Sequence, residues 1–254
     1  ALKQATALGA GGEKSVTLWV HNWTREAFDL PADFTLDWSK YFDRANRKVP
    51  TSDLWNKTLM PELKALKDQV ASGRSERVIR FRGKCALSTG IALGATFPAV
   101  GGWTFEIPQP PSKSAWRSDV TIAPSYRVQI ETVAGDANGS DIVMALNIKG
   151  DGRKDITDYI ATTRAVPRLF AFISPPALGG SAIGGPEEAS AYVKAVRKHL
   201  GRILKEQQVL QTRLFYYGPF ALAVFLGQRL TSVGKVQLFE YQDPGYVQSV
   251  ALQT

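Results

Sequence analysis

Apolar residues recur along this chain in two rhythms. The stretch KSVTLWVHN (14–22) is rich in Val, Thr and Trp and predicts a β-strand. In 51–73 the apolar positions Trp55, Leu59, Leu63, Leu66 and Val70 fall three and four apart, which predicts an amphipathic helix. Thr51 or Ser52 supplies its cap. Pro61 is expected to kink it or to start a second segment, and Gly73 to end it. Further strands are predicted at 77–83, 101–109, 140–150, 167–175, 212–217 and 235–241, and helices at 86–93, 153–163, 186–208 and 220–230. Gly94 is expected to close the helix over 86–93. The helix over 186–208 has the strongest signature: Pro186 at its start, Glu187 and Glu188 in the first turn, and an apolar stripe of Tyr192, Val196, Leu200 and Ile203. From 23 to 50 aromatics are scattered among turn formers, giving a hairpin or an irregular insertion. The Pro- and Ser-rich segment 108–116 is expected to cross from a first half to a second.

Strands that alternate with helices predict an α/β fold with mainly parallel sheets. The same punctuation occurs twice. RFRGKCALSTGIALGATF (80–97) and LFYYGPFALAVFLGQRL (214–230) match over most of their length when Gly94 is aligned with Gly227. Each gives an apolar strand, a small-residue turn, an apolar helix ending in Leu-Gly and a return strand. The chain is therefore expected to hold two tandem Rossmann-type units, 15–125 and 126–254, related by a pseudo-twofold axis. In open parallel sheets a ligand lies beyond the carboxyl ends of the strands. Those ends are 22–24, 82–84, 149–151, 174–176 and 216–219, and a ligand on the axis would be gripped by loops of both units.

Composition narrows the chemistry. Among 254 residues, 44% hydrophobic, Lys and Arg number 31 against 23 Asp and Glu, giving a net charge of +8. That balance favours anionic partners such as nucleic acid, nucleotides or phosphates, or simply a soluble basic protein. Cys85 is the only cysteine, so an internal disulfide and a cysteine-built zinc site are both excluded, which fits a reducing cytoplasm. His21 and His199, the only histidines, have no metal-ligand spacing. Residues 1–14, rich in Ala and Gly, read as a linker without the pattern of a signal peptide, and a further domain is expected upstream. The apolar uncharged run 214–228 is too short to span a bilayer and is interrupted at Gly218-Pro219. ALGGSAIGG (177–185) matches neither a P-loop nor a dinucleotide fingerprint nor a nucleophile elbow. No catalytic set and no metal site emerges.

The candidate binding residues lie at the predicted strand ends. Arg82, Lys84, Ser88 and Thr89 stand between a strand and a helix N-terminus, where free N–H groups and the dipole favour a phosphate; the alternative is a solvated cation beside an ordinary cap. In the mirror position Gly218 permits close approach, Pro219 suits a helix start, and Tyr216 and Tyr217, with Phe220, offer faces for base stacking or simply fill the core. Trp116, among polar residues after the Pro-rich segment, reads as an exposed ring for stacking, with Arg117 and Asp119 for edge recognition, or as a pin for the loop. Ser174 and the loop 177–185 read as a flap closing over a ligand, or as plain surface.

These stretches carry a family resemblance. RGKCALSTGIALGATFP, GGWTFEIPQ and WRSD in the first half, and RLFYYGPFALAVFLGQRL with VQLFEYQDPGYVQSVAL in the second, resemble the two halves of a SAVED domain from about Ser15 onward. The most specific element is the aromatic-Gly-Pro-x-x-Leu-Ala run before a Leu-Gly helix end, followed by the late EY…Y pair. The resemblance implies a fused pair of CARF-like units that sense a cyclic oligonucleotide, a cyclic dinucleotide such as cGAMP or a cyclic trinucleotide. It places them in the bacterial cytoplasm, in CBASS anti-phage defence, with the messenger made by a partner nucleotidyltransferase. It further implies an N-terminal effector in the same polypeptide, an HNH or other nuclease or a TIR domain, activated by self-association on ligand binding. No cofactor, metal or membrane is implied. Two other readings stay open on the residues alone: a nucleic-acid-binding module, motivated by the charge, and a Rossmann-type nucleotide-processing enzyme, for which no acid, base or nucleophile stands out.

Overall fold

The computed structural model describes residues 2–4, 15–72, 77–111, 114–122, 126–163 and 165–254. The strands are β1 (Leu2–Gln4), β2 (Val16–His21), β3 (Phe34–Asp37), β4 (Val78–Lys84), β5 (Thr104–Pro108), β6 (Ala115–Arg117), β7 (Gln129–Ala134), β8 (Ile142–Asn147), β9 (Leu169–Ser174), β10 (Gln211–Tyr217), β11 (Lys235–Gln242) and β12 (Gly245–Gln253). They form two six-stranded sheets, ordered β1-β3-β2-β4-β5-β6 and β12-β11-β10-β8-β9-β7. Read from its other edge, the second repeats the first strand for strand. In each sheet the four central strands are parallel and the two edge strands antiparallel. Each sheet reverses its winding once, between β2 and β4 and between β8 and β10, which marks two topological switch points.

Several sequence expectations are corrected. β3 turns the supposed hairpin or insertion into a parallel strand beside β2. Leu2–Gln4, within the stretch read as linker, pairs with β3. The segment 108–116 does not make the crossing: its end joins β6, which returns antiparallel along β5. A last strand, β12, completes the second sheet.

The helices are α1 (Ser52–Leu54), α2 (Met60–Ala71), α3 (Leu87–Thr96), α4 (Arg153–Thr162), α5 (Pro186–Gln207) and α6 (Phe220–Gly227). Thr51 caps α1, its hydroxyl accepting from Leu54 N at 3.3 Å. A π-helical turn, Trp55–Leu59, then leads to Pro61 in the first turn of α2, so the proline starts a second segment. The expected stop at Gly73 lies outside the described residues. α6 is buried from Ala221 to Gly227, which explains why it shows apolar residues all round and no stripe. One apolar core runs through both halves by way of α3 and α6, and a smaller one lies beneath α4, built on Ile156, Ile160, Phe215 and Phe239.

Gly94 does not end α3, which continues to Thr96. It is the point where α3 crosses α6. A Cβ on Gly94 would stand 2.0 Å from the Val224 carbonyl oxygen, and one on Gly227 would stand 2.1 Å from that of Ile91. The aligned glycines are thus the two halves of one crossing on the pseudo-twofold axis. The axis also relates the helix starts. Ser88 N donates to Glu240 Oε1 at 2.6 Å, and Ala221 N, its aligned position, donates to Gln109 Oε1 at 3.0 Å. Each half therefore caps the helix of the other. Side-chain caps contribute about 1 kcal/mol, so Glu240→Ala and Gln109→Ala are each expected to lower stability by about that amount, read from urea midpoints. Near the far end of the seam, the buried Gln228 amide donates to the carbonyls of Phe97 (3.0 Å) and Trp103 (2.8 Å).

Candidate ligand pocket

The first switch point opens between the carboxyl ends of β2 and β4. Asn22, just beyond β2, is fully buried, and its Oδ1 accepts from Ala86 N at 2.9 Å and from the Thr89 hydroxyl at 2.7 Å. That pair of bonds fixes the first turn of α3 against the sheet. Above it lies a cavity of about 560 Å³. Its cations are Lys84, at the end of β4, and Arg44 and Arg47 from the loop after β3; its rings are Trp23 and Tyr241; its carboxylates are Glu26 and Glu240. Glu240 and Tyr241 come from β11, so the second half forms one wall.

The loop carrying the two arginines is built, not loose. Asp43 and Lys48 exchange backbone bonds at 3.0 and 2.9 Å. The Asp43 carboxylate accepts from Asn46 N at 3.1 Å and from the Asn46 amide at 2.7 Å, contacts that hold its carboxyl below the usual range. Val49 N then donates to Gln242 Oε1 at 3.2 Å, which ties the loop to the second half. Lys84 bonds Glu26, at 3.0 Å, and that bond is the main reason the Glu26 carboxyl titrates low. Burial pushes the Glu240 carboxyl up, against its bonds to the start of α3. Tyr241 is half exposed, and Trp23 is braced edge-on by Phe42 with ring centres 5.1 Å apart.

Of the residues singled out in the sequence, Lys84 lines this cavity, and Ser88 and Thr89 lie beneath it. Both are buried: Ser88 N is taken by Glu240, and the Thr89 hydroxyl by Asn22. A carboxylate of the chain thus already occupies the helix end expected to receive phosphate. Arg82 is held outside the cavity by Asp29, at 2.7 and 3.2 Å. In the second half, Tyr216 donates its hydroxyl to the Pro219 carbonyl at 2.7 Å, and Gly218 packs beneath that ring, where a Cβ would lie 2.5 Å from the hydroxyl oxygen. Tyr217 is exposed at the mirror-related strand end. Ser174 is half-buried in register with Gln129, and the loop 177–185 is pinned by Gly179 N to the Ile148 carbonyl at 3.0 Å and by buried Ile183.

Trp116 is not an exposed ring. It is 4% exposed and packs into the core in register with Ile107. Asp119, paired with Arg117 at 2.9 Å, follows β6 at the amino ends of the parallel strands, away from the cavity. Sequence reasoning missed Arg44 and Arg47, which no local motif marks; Trp23 lay within the marked strand end 22–24 without being singled out, and Glu240 and Tyr241 were visible only as the EY of the late pair. Among the described residues no cluster of His, Cys, Asp and Glu is able to hold a metal ion, and no helix is long and apolar enough to cross a membrane.

Comparison with known proteins agrees with this architecture. A structure of the Acinetobacter baumannii Cap4 SAVED/CARF-domain containing receptor with the cyclic trinucleotide 2'3'3'-cAAA superposes with a TM-score of 0.78, at 20% identity, over 94% of this chain and 51% of that one. The receptor with 3'3'3'-cAAA gives 0.77 at the same identity and coverage. In sequence, CD-NTase-associated protein 4 from an Acinetobacter species and from Moraxella osloensis are each 25% identical, over 87% of this chain and 46% of theirs. The chain spans about half the length of these curated relatives. The family model for "SMODS-associated and fused to various effectors sensor domain" matches residues 62–252, from within α2 through β12, and with that match the chain belongs to the SAVED family.

Proposed function

We propose that this chain is a sensor that binds a cyclic oligonucleotide, with two or three phosphates, in the cavity beside α3. One observation carries the reading: three cations and two aromatic rings converge on a switch-point cavity of about 560 Å³ whose wall is completed by the other half. Lys84, Arg44 and Arg47 hold phosphate oxygens, and Trp23 and Tyr241 stack bases. Tyr217 lies ready for a ring that extends toward the second sheet. The cyclic trinucleotides carried by the structurally similar Cap4 receptors support this ligand class. The remainder of the reading is that occupancy drives self-association and activates an effector domain of the same polypeptide. Moving such an equilibrium from 1:99 to 99:1 takes about 5.5 kcal/mol of differential binding, within reach of several phosphate and stacking contacts.

Calorimetry against a panel of cyclic di- and trinucleotides tests the binding. Hydrogen bonds to charged groups contribute about 1.5–3 kcal/mol. Arg44→Gln with Arg47→Gln is therefore expected to weaken the best ligand at least about a hundredfold, while Arg82→Gln changes it little. Equal binding by the double variant, or no binding by any member of the panel, rejects the site. Light scattering with and without the best ligand tests self-association.

A further inference from the structure

Helix α5 carries Lys194, Lys198, Arg202 and Lys205 at steps of four, four and three, so they share one face, and all four are exposed. Among the described residues only Arg202 of this stripe has a carboxylate partner, Glu206 at 3.8 Å. At its Lys194 end the stripe runs into a second cavity, of about 550 Å³, at the amino ends of the strands. That cavity shares no residue with the one beside α3. Arg197 and Arg229 also line it. Arg197 is fixed by donating to the Thr231 carbonyl at 2.8 Å. Arg229 is half-buried and has no carboxylate partner among the described residues; burial alone depresses its guanidinium. The cavity's own carboxylate, Asp119, is committed to Arg117.

A half-buried cation without a counter-charge is unfavourable, so the site calls for an anion from outside the chain. The stripe beside it extends the demand over several charges. The eleven residue steps from Lys194 to Lys205 span roughly 16 Å at ~1.5 Å per residue, and duplex DNA presents one negative charge per ~1.7 Å of its axis. The field there is positive enough to be felt locally: His199 is held below its usual range by burial, then by Arg202 and Lys198. No aromatic ring is exposed on the stripe, and Trp103 in the cavity is 4% exposed, so the surface offers charge without base stacking.

We propose that the α5 stripe and the cavity at Arg229 bind the phosphate backbone of duplex nucleic acid without reading its sequence. The test is fluorescence anisotropy of the full chain with a random-sequence duplex of about two helical turns, made as DNA and as RNA, between about 50 and about 200 mM salt. Five phosphate contacts, those of the four stripe cations and Arg229, give a slope of log K against log salt of about −4.5. Lys194→Gln with Lys198→Gln is expected to flatten it by about 1.8, and Arg229→Gln by about 0.9. Lys64→Gln with Lys67→Gln, on cations of α2 outside the stripe and its cavity, is expected to leave it unchanged. Thermal melting confirms that each variant folds. Absence of binding at the lowest salt, or an equal loss from the α2 pair, overturns the proposal. So does stabilisation by inorganic tripolyphosphate with no duplex binding, which reduces the site to one for a small anion.

Discussion

Gly94→Ala is expected to cost about 3 kcal/mol of stability and to lower the melting temperature by roughly 6–12 °C. In an exposed helix the same change would gain about 1 kcal/mol from propensity, so the sign itself is diagnostic. Here the added methyl would meet the Val224 carbonyl at 2.0 Å, Gln228 N at 2.7 Å and Gly227 Cα at 2.9 Å. All three are backbone atoms and have no rotamer by which to yield. Relief requires α3 and α6 to separate, which opens the core shared by both halves and loosens the reciprocal caps at Ser88 and Ala221. Gly245→Ala, where a Cβ meets nothing within 4 Å, is the matched control and is expected to fall within about 0.5 kcal/mol of the parent. A melting temperature for Gly94→Ala equal to the parent's would remove the glycine crossing from the account of this fold.

Arg213→Met should be at least as damaging, at about 3–5 kcal/mol. Arg213 Nη2 lies 2.7 Å from Asp141 Oδ1 and 2.8 Å from the Ala165 carbonyl, and the side chains of the pair are only 8% and 11% exposed. The pair joins the starts of β10 and β8, the two strands that flank the second switch point. Removing the cation leaves a buried carboxylate without its counter-charge, and that desolvation, more than the lost attraction, sets the cost. The double change Arg213→Met with Asp141→Leu removes both charges and is expected to recover much of the loss. Urea unfolding of the two variants decides between them: if the double variant is as unstable as the single, the cost arises from packing and not from the orphaned charge.

The chain's duplication was legible because it is written in local chemistry. Strand, small-residue turn and apolar helix follow one another twice with a constant offset; at that offset Gly94 and Gly227 meet at the crossing, and Ser88 and Ala221 are the equivalent capped helix starts. The role of Gly94 was not legible, since a glycine at a helix stop and a glycine at a helix crossing look alike until the second helix is present. Of the two readings of Trp116, the exposed one failed for a similar reason. Its polar neighbour Arg117 points to the opposite face of β6, because side chains alternate along a strand, so that polarity says nothing about where the tryptophan goes. Lys84 was found because it ends a strand that the sequence marks. Arg44 and Arg47 were not, because the 23–50 segment has no periodicity and its arginines reach the cavity only after β3 pairs with β2.

By itself, then, the order of residues determined the α/β class, the two repeated units, the glycine pair that aligns them and the strand ends at which a cavity opens. These follow from periodicity, turn chemistry and charge, all of which act over a few residues. Tertiary structure alone decided that β1 and β12 complete the sheets, that Glu240 rather than a ligand sits at the start of α3, and that Arg44, Arg47 and Tyr241 share a cavity with Lys84. Those contacts join segments far apart in the chain, and nothing in the local sequence of either partner encodes which distant segment the fold will bring to it.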